Sequence, residues 1–303
     1  MDTATVLERE EYVEQAYFFR TFRERVAEDM AAQNVLAGLP DELLSSTRLP
    51  MAVQFLATEI KHTGLLATGF EKLPHYFTPF QAFVVRQAEQ EGGKFTMGVA
   101  LLVLEREATY RANNPTKPGL FVFQFETICR NRLGYDDGLI AMSRDPFYDA
   151  DWAVYLEAVR KQVGLVDFAD LVYYRSAWAV TERRRRQPNF ESNVPMLFGE
   201  KEGKIAKASR SRDPLYLFAA LQRQLDYPEV PRLKAKDDVH TQLEMLQVKL
   251  REWETRLKLL ESETRGGPID WTQFSQTPPP TDDDRPRPPC PWNRTSESSC
   301  KSP

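Results

Sequence analysis

Apolar residues recur at intervals of three and four through roughly the first 230 residues, which is the spacing of a helix face. The clearest stripe contains Tyr12, Ala16, Phe19, Val26 and Met30. Alternation with period two is rare, and the exception is residues 120–125 (LFVFQF), whose composition also suits a strand. Because the apolar character continues through Ile128 and Cys129, we predict a helix here that ends at Gly134.

Residues that begin and end helices mark the same region. Pro50 opens a helix that Gly64 closes, and Thr78 starts a capping box followed by proline. Residues 95–111 are apolar almost all round at their centre, which predicts a helix buried on most sides. Residues 1–230 are therefore predicted to form an all-α, multi-helical globular domain.

A sharper pattern occupies residues 237–264, where apolar positions alternate four- and three-residue steps. This 3.5-residue period is typical of a coiled coil. We call these positions the heptad seam; they are Val239, Leu243, Leu246, Leu250, Trp253, Leu257 and Leu260.

Two arrangements of this helix stay open. In a parallel pair, Lys249 at position g faces Glu254 at position e of the other helix with opposite charge. A long amphipathic helix that packs within its own chain would show a similar stripe, and Trp253 fits a tight dimer seam poorly. We predict a protein partner or self-association through 237–264, with intramolecular packing as the alternative.

Residues 265–303 have the composition of a disordered tail. Nine of the 21 prolines lie after residue 267, together with an aspartate run and a serine-rich end. Such a segment buries too little apolar surface to fold alone. Its one apolar island, residues 269–274 (IDWTQF), is interpreted as a docking peptide or as a strap lying back on the helical domain.

The overall charge is close to balance, but its distribution is uneven. Lys and Arg total 40 against 44 Asp and Glu, so the formal net charge of −4 excludes a globally basic nucleic-acid binder. Residues 175–212, however, hold ten basic and four acidic side chains. The basic patch is Arg183, Arg184, Arg185, Arg186, Lys201, Lys204, Lys207, Arg210 and Arg212.

This stretch has a functional and a structural interpretation. A patch of this size can contact phosphate backbones or an acidic partner, which makes a nucleic-acid-associated factor using 183–212 one alternative function. The structural interpretation is a solvated stretch that pairs with the acidic first helix, within residues 1–30.

Candidate catalytic and metal-binding residues are few. Glu59 and His62 have the Glu-x-x-His spacing of carboxylate-bridged metal bundles, and Glu126 could add an oxygen ligand. With three histidines in the chain the ligand supply is small, so we expect no metal and no cofactor. Cys129 beside Arg130 could form a reactive thiolate, although a buried structural cysteine is the expected reading.

Aspartates 145, 149 and 151 are interpreted as caps and turn residues. Phosphate-binding loops, nucleophile elbows and HExxH motifs do not occur in the sequence. The start of the chain lacks the pattern of a signal peptide, and the longest apolar run, residues 99–104, is too short to span a bilayer, so no membrane association is expected.

The sequence therefore predicts a non-enzymatic, cytoplasmic, helical interaction or scaffold protein that associates through its heptad helix. The alternatives are a helical-bundle enzyme or metal-binding protein using Glu59 and His62 with Glu126, and the nucleic-acid-associated factor.

Overall fold

The computed structural model describes residues 6–90, 95–232, 249–251 and 253–257. Across these ranges there is no strand, only two isolated bridges, so the predicted all-α class is confirmed. The α-helices are α1 (Arg9–Ala27), α2 (Ala32–Gly38), α3 (Leu49–Thr63), α4 (Leu66–Lys72), α5 (Pro79–Glu89), α6 (Met97–Ala112), α7 (Lys117–Asn131), α8 (Tyr135–Ser143), α9 (Ala150–Gln162), α10 (Phe168–Tyr174), α11 (Ala177–Arg186), α12 (Glu200–Ala208) and α13 (Pro214–Leu225). A 3-10 turn, Leu39–Asp41, follows α2.

The chain divides into two compact units, Met1–Leu233 and Lys234–Pro303. Helices α1 to α13 all belong to the first unit. In the second unit, residues 249–251 and 253–257 are helical. The remaining heptad positions and the predicted tail with its 269–274 island lie outside the described residues.

Side-chain caps begin several helices where the sequence predicts them. Thr78 accepts a hydrogen bond from the Gln81 backbone N–H, and the Gln81 side chain accepts one from the Thr78 N–H, which is the predicted capping box. Gly64 ends α3 in the left-handed region at φ +74°. The predicted apolar stripe from Tyr12 to Met30 extends beyond the first helix. Helix α1 ends at Ala27, and Met30 lies after it and is 42% exposed.

Helices α6 and α7 provide the centre of the first unit. In α7, Phe121, Val122 and Phe123 have no exposed surface, although they are consecutive and point in different directions around the helix. Residues 120–125 are therefore helical and surrounded, as predicted. Helix α7 ends at Asn131 rather than Gly134, because Arg132 adopts the left-handed conformation at φ +55°.

A buried ion cluster joins α6 to the segment after α8. The side chain of Arg111 is 1% exposed and donates to Glu107 Oε1 one turn earlier, at 2.9 Å, and to both oxygens of Asp145. Asp145 therefore does more than the turn residue that the sequence suggested. The guanidinium also lies 5.8 Å from the ring centres of Tyr12 and Phe147.

Two neutral side chains extend this cluster into α7. Gln124 donates to Glu107 Oε1 at 2.8 Å and accepts from the hydroxyl of Tyr148 at 2.8 Å. Glu107 Oε2 is buried and has no hydrogen-bond partner among the described residues. Burial raises the pKa of Glu107, while Arg111 opposes that rise. Asp145, the second carboxylate beside the same guanidinium, adds to this rise in the pKa of Glu107.

None of the helices in the described residues has both the length and the apolar character required to cross a bilayer.

We expect Arg111→Met to destabilise the first unit by about 3–5 kcal/mol, because it leaves Glu107 and Asp145 buried without their cation. Urea denaturation followed by circular dichroism measures the change. Arg160→Met is the matched control, since Arg160 pairs with Asp136 and Glu157 on the surface, and it should have little effect. Equal losses in the two variants would contradict the assigned role of the buried cluster.

We expect Glu107→Gln to flatten the pH dependence of stability. The folded protein holds the Glu107 proton more tightly than the unfolded chain, in which a glutamate has a pKa of about 4.3. The free energy of unfolding of the wild type should therefore fall as the pH rises above this value, and the amide variant should lack that fall. Denaturation midpoints across acidic to neutral pH test this, with the exposed Glu10→Gln as the control that keeps the wild-type slope.

Candidate functional site

The predicted basic patch falls on and around α10, α11 and α12, which close packing holds together. Ser176 caps α11 by accepting from the Ala179 N–H, and its own hydroxyl donates to the Tyr173 carbonyl at 2.6 Å. Gly203 of α12 lies so close that a Cβ there would overlap the Ser176 hydroxyl and lie 2.7 Å from the Cβ of Trp178. A glycine at this position thus allows α12 to approach α11.

Aromatic rings and arginines alternate in one row along this region. The guanidinium carbon of Arg183 lies 5.3 Å from the ring centre of Phe190 and 5.7 Å from that of Tyr174. That of Arg210 lies 5.4 Å from Tyr174 and 4.1 Å from Tyr173. The order is therefore Phe190, Arg183, Tyr174, Arg210, Tyr173, with each guanidinium within reach of two rings.

A second ring nearby is shared by two cations. Trp178 has the Arg185 guanidinium at 5.3 Å and the Lys204 ammonium at 4.4 Å from its ring centre. The arginine–aromatic surface is the set Tyr173, Tyr174, Trp178, Arg183, Arg184, Arg185, Phe190, Lys204 and Arg210. It covers two faces of α11, because Arg183 and Arg185 are two residues apart on the helix and point about 160° apart around its axis.

Carboxylates neutralise one side of this surface. Glu182 forms an ion pair with Lys207 and accepts from the Tyr173 hydroxyl at 2.8 Å. These hydrogen bonds lower the pKa of Glu182. Arg210 pairs with Asp170 at 2.5 Å. Lys207 and Arg210 therefore hold the helices together more than they attract a ligand.

The other side keeps its positive charge. Within the described part of the chain, no carboxylate lies at ion-pair distance from Arg183, Arg184 or Arg185, all three of which are exposed. Arg184 is oriented by donating to the Phe190 carbonyl at 3.2 Å. Arg186 is 81% exposed and lies 3.9 Å from Glu182.

The remaining members of the predicted patch behave differently. Lys201 and Arg212 are exposed and stack on no ring among the described residues. Among the described residues, no acidic side chain of α1 forms an ion pair with the basic patch, unlike in the structural interpretation; Glu11 and Glu14 of α1 instead accept backbone N–H groups of Arg48 and Leu44. The partners of the basic side chains are the local acids Glu182, Asp170 and Glu200.

The aromatic members of the surface were missed at the level of sequence. Tyr173, Tyr174 and Trp178 precede the arginine run, and Phe190 follows it. Counting charges alone gives no weight to them, whereas aromatic residues interleaved with arginines are themselves a signal for stacked cations.

The candidate metal ligands have separate structural partners. Glu59 is buried and pairs with Lys72 at 2.5 Å, while His62 is exposed near the end of α3. Glu126 accepts from Arg130 and from the Tyr227 hydroxyl. The described residues contain no group of three or more acidic, histidine or cysteine side chains able to hold a metal ion.

A mostly apolar cavity of about 410 Å³ lies against the end of α7, the α9–α10 connection and the start of α13. Cys129 contributes to its wall beside Arg130 and Phe168. Burial raises the pKa of the Cys129 thiol to about 11, so the thiolate required for nucleophilic attack is scarce at neutral pH. Cys129 is half-buried, and its raised pKa favours the structural role over the reactive thiolate.

We expect Gly203→Ala to destabilise the first unit by about 1–3 kcal/mol, since the added methyl group collides with α11. Thermal unfolding measures this effect. Gly98→Ala provides the matched control, because Gly98 is a helical glycine with open space around it and should gain about 0.4–1 kcal/mol. A Gly203→Ala protein as stable as the wild type would show that α11 and α12 do not depend on this close approach.

Comparison with known proteins returned no relative. No family model matches the chain, and neither a curated protein nor a solved structure is significantly similar to it.

Proposed function

We propose that this protein is a non-enzymatic helical interaction protein that associates through the heptad helix at residues 237–264. The observation that carries the proposal is the exposure of its apolar seam. Leu250, Trp253 and Leu257 are 61%, 66% and 56% exposed, and all three occupy seam positions on a helix. Removing apolar surface from water contributes about 25 cal/mol of favourable free energy per Å², so burying these side chains against a second helix favours association.

The charges beside the seam favour a parallel arrangement with a second copy of this chain. Positions g carry Lys249 and Arg256, and positions e carry Glu254 and Glu261. A parallel pair brings g against e, hence base against acid, whereas an antiparallel pair brings like charges together. The partner in this proposal is therefore an identical helix in register.

The helical first unit supports a role in presenting surfaces rather than in catalysis. Glu107, whose pKa is raised, is enclosed in the ion cluster with Arg111, where no substrate has access. Cys129 is a free thiol, which is consistent with the reducing cytoplasm that the proposal assumes.

We expect Leu250→Asp to abolish association, since it places a charge in the apolar seam of both helices. Light scattering coupled to size exclusion at micromolar concentration should give twice the 35.0 kDa chain mass for the wild type and the single mass for the variant. Thr255→Asp is the control, because Thr255 lies at position f, away from the seam, and adds the same charge.

A wild-type protein that remains a monomer at all tested concentrations would refute the proposal. Equal loss of association in the two aspartate variants would assign the effect to helix destabilisation and would likewise count against the seam.

A further inference from the structure

The arginine–aromatic surface combines charge and preorganisation in a way that the proposed association does not use. Residues 175–212 carry a formal charge of +6 in a chain whose total is −4, so the rest of the chain carries −10. Glu182 pairs with Lys207, Glu200 with Lys204, and Asp170, from before the stretch, with Arg210. Among the described residues, no carboxylate lies at ion-pair distance from Arg183, Arg184 or Arg185 at the end of α11.

These three guanidiniums are held in place before any ligand arrives. Arg183 stacks between Tyr174 and Phe190, Arg185 stacks on Trp178, and Arg184 donates through Nε to a backbone carbonyl. A free arginine side chain loses considerable conformational entropy when it binds a ligand, and stacking has already removed part of that loss. The planar edge of each guanidinium matches the paired oxygens of a phosphate.

We propose that the arginine–aromatic surface binds the phosphodiester backbone of single-stranded nucleic acid. Guanidiniums already cover ring faces of this surface, so recognition proceeds through phosphates and is independent of base sequence. A flexible strand can wrap around the end of α11 and bring successive phosphates to arginines on its different faces, whereas a duplex presents its phosphates at fixed positions.

The charge distribution favours a strand over a folded acidic partner. A single strand is narrow enough to contact the basic surface alone. A folded acidic protein would also approach the other residues of this chain, which are acidic in sum, within a screening length of about 8–10 Å.

Fluorescence anisotropy of the full-length chain with a labelled oligothymidylate of about 20 nucleotides, titrated across NaCl concentrations, tests the proposal. The test variant carries Arg183→Gln, Arg184→Gln and Arg185→Gln together. The control removes three exposed cations elsewhere, through Lys61→Gln, Arg144→Gln and Lys161→Gln.

At about 50 mM salt we expect the test variant to bind at least tenfold more weakly than the wild type and the control to bind within about twofold of it. Each single-strand phosphate contact contributes about 0.7 to the slope of log affinity against log salt, so the slope should become shallower by about 2. Tyr174→Leu, which keeps every charge and removes two stacking contacts, should weaken binding severalfold. Circular dichroism confirms that each variant is folded.

Four results would overturn the proposal. They are no binding by the wild type at low salt, equal binding by the test and control variants, tighter binding to a duplex of the same length, and equally effective competition by polyglutamate of matched charge. The last result would identify an acidic polypeptide as the ligand class.

Discussion

A guanidinium that solvent does not reach sets the arrangement of the helical unit. Arg111 must be compensated where it lies, and its partners come from three places: Glu107 on its own helix, Asp145 after α8, and the rings of Tyr12 and Phe147. Gln124 adds α7 to the same cluster. Because removing Arg111 leaves two carboxylates unpaired in the interior, this cation constrains how these segments pack together.

The surface arginines are stabilised differently from the buried Arg111. In the interior, carboxylates compensate the guanidinium and leave it with no capacity for a ligand. For the arginines of α11, the ring faces of Tyr174, Phe190 and Trp178 stabilise the guanidiniums without cancelling their charge. Rings attract cations through their quadrupole and contribute no net charge, so the outward field of the arginines persists. This difference separates a structural ion cluster from a surface that attracts anions.

The two proposed interaction surfaces follow distinct physics. Association through the heptad seam depends mainly on apolar burial, and the free energy of that burial changes little with salt. Binding of a phosphate backbone depends on charge and weakens steeply with salt. Salt concentration thus separates the two activities in the intact chain, and a paired molecule would carry two arginine–aromatic surfaces.

Periodicity, proline and glycine positions, and caps determine the all-α class and several helix boundaries from the sequence alone, because these signals act between residues only a few positions apart. The same local chemistry explains why α3 ends at Gly64 and why α5 begins after Thr78. The sequence also locates the excess of basic residues.

Only tertiary structure decided which charges remain available. Asp145 lies 34 positions from Arg111, and Lys207 lies 25 positions from Glu182, so no local pattern predicts those pairs. Stacking of Arg183 and Arg210 on Tyr174 likewise depends on how α12 and the segment after it return to α10 and α11. Charge is a property of composition, whereas its compensation depends on distances between segments that folding brings together.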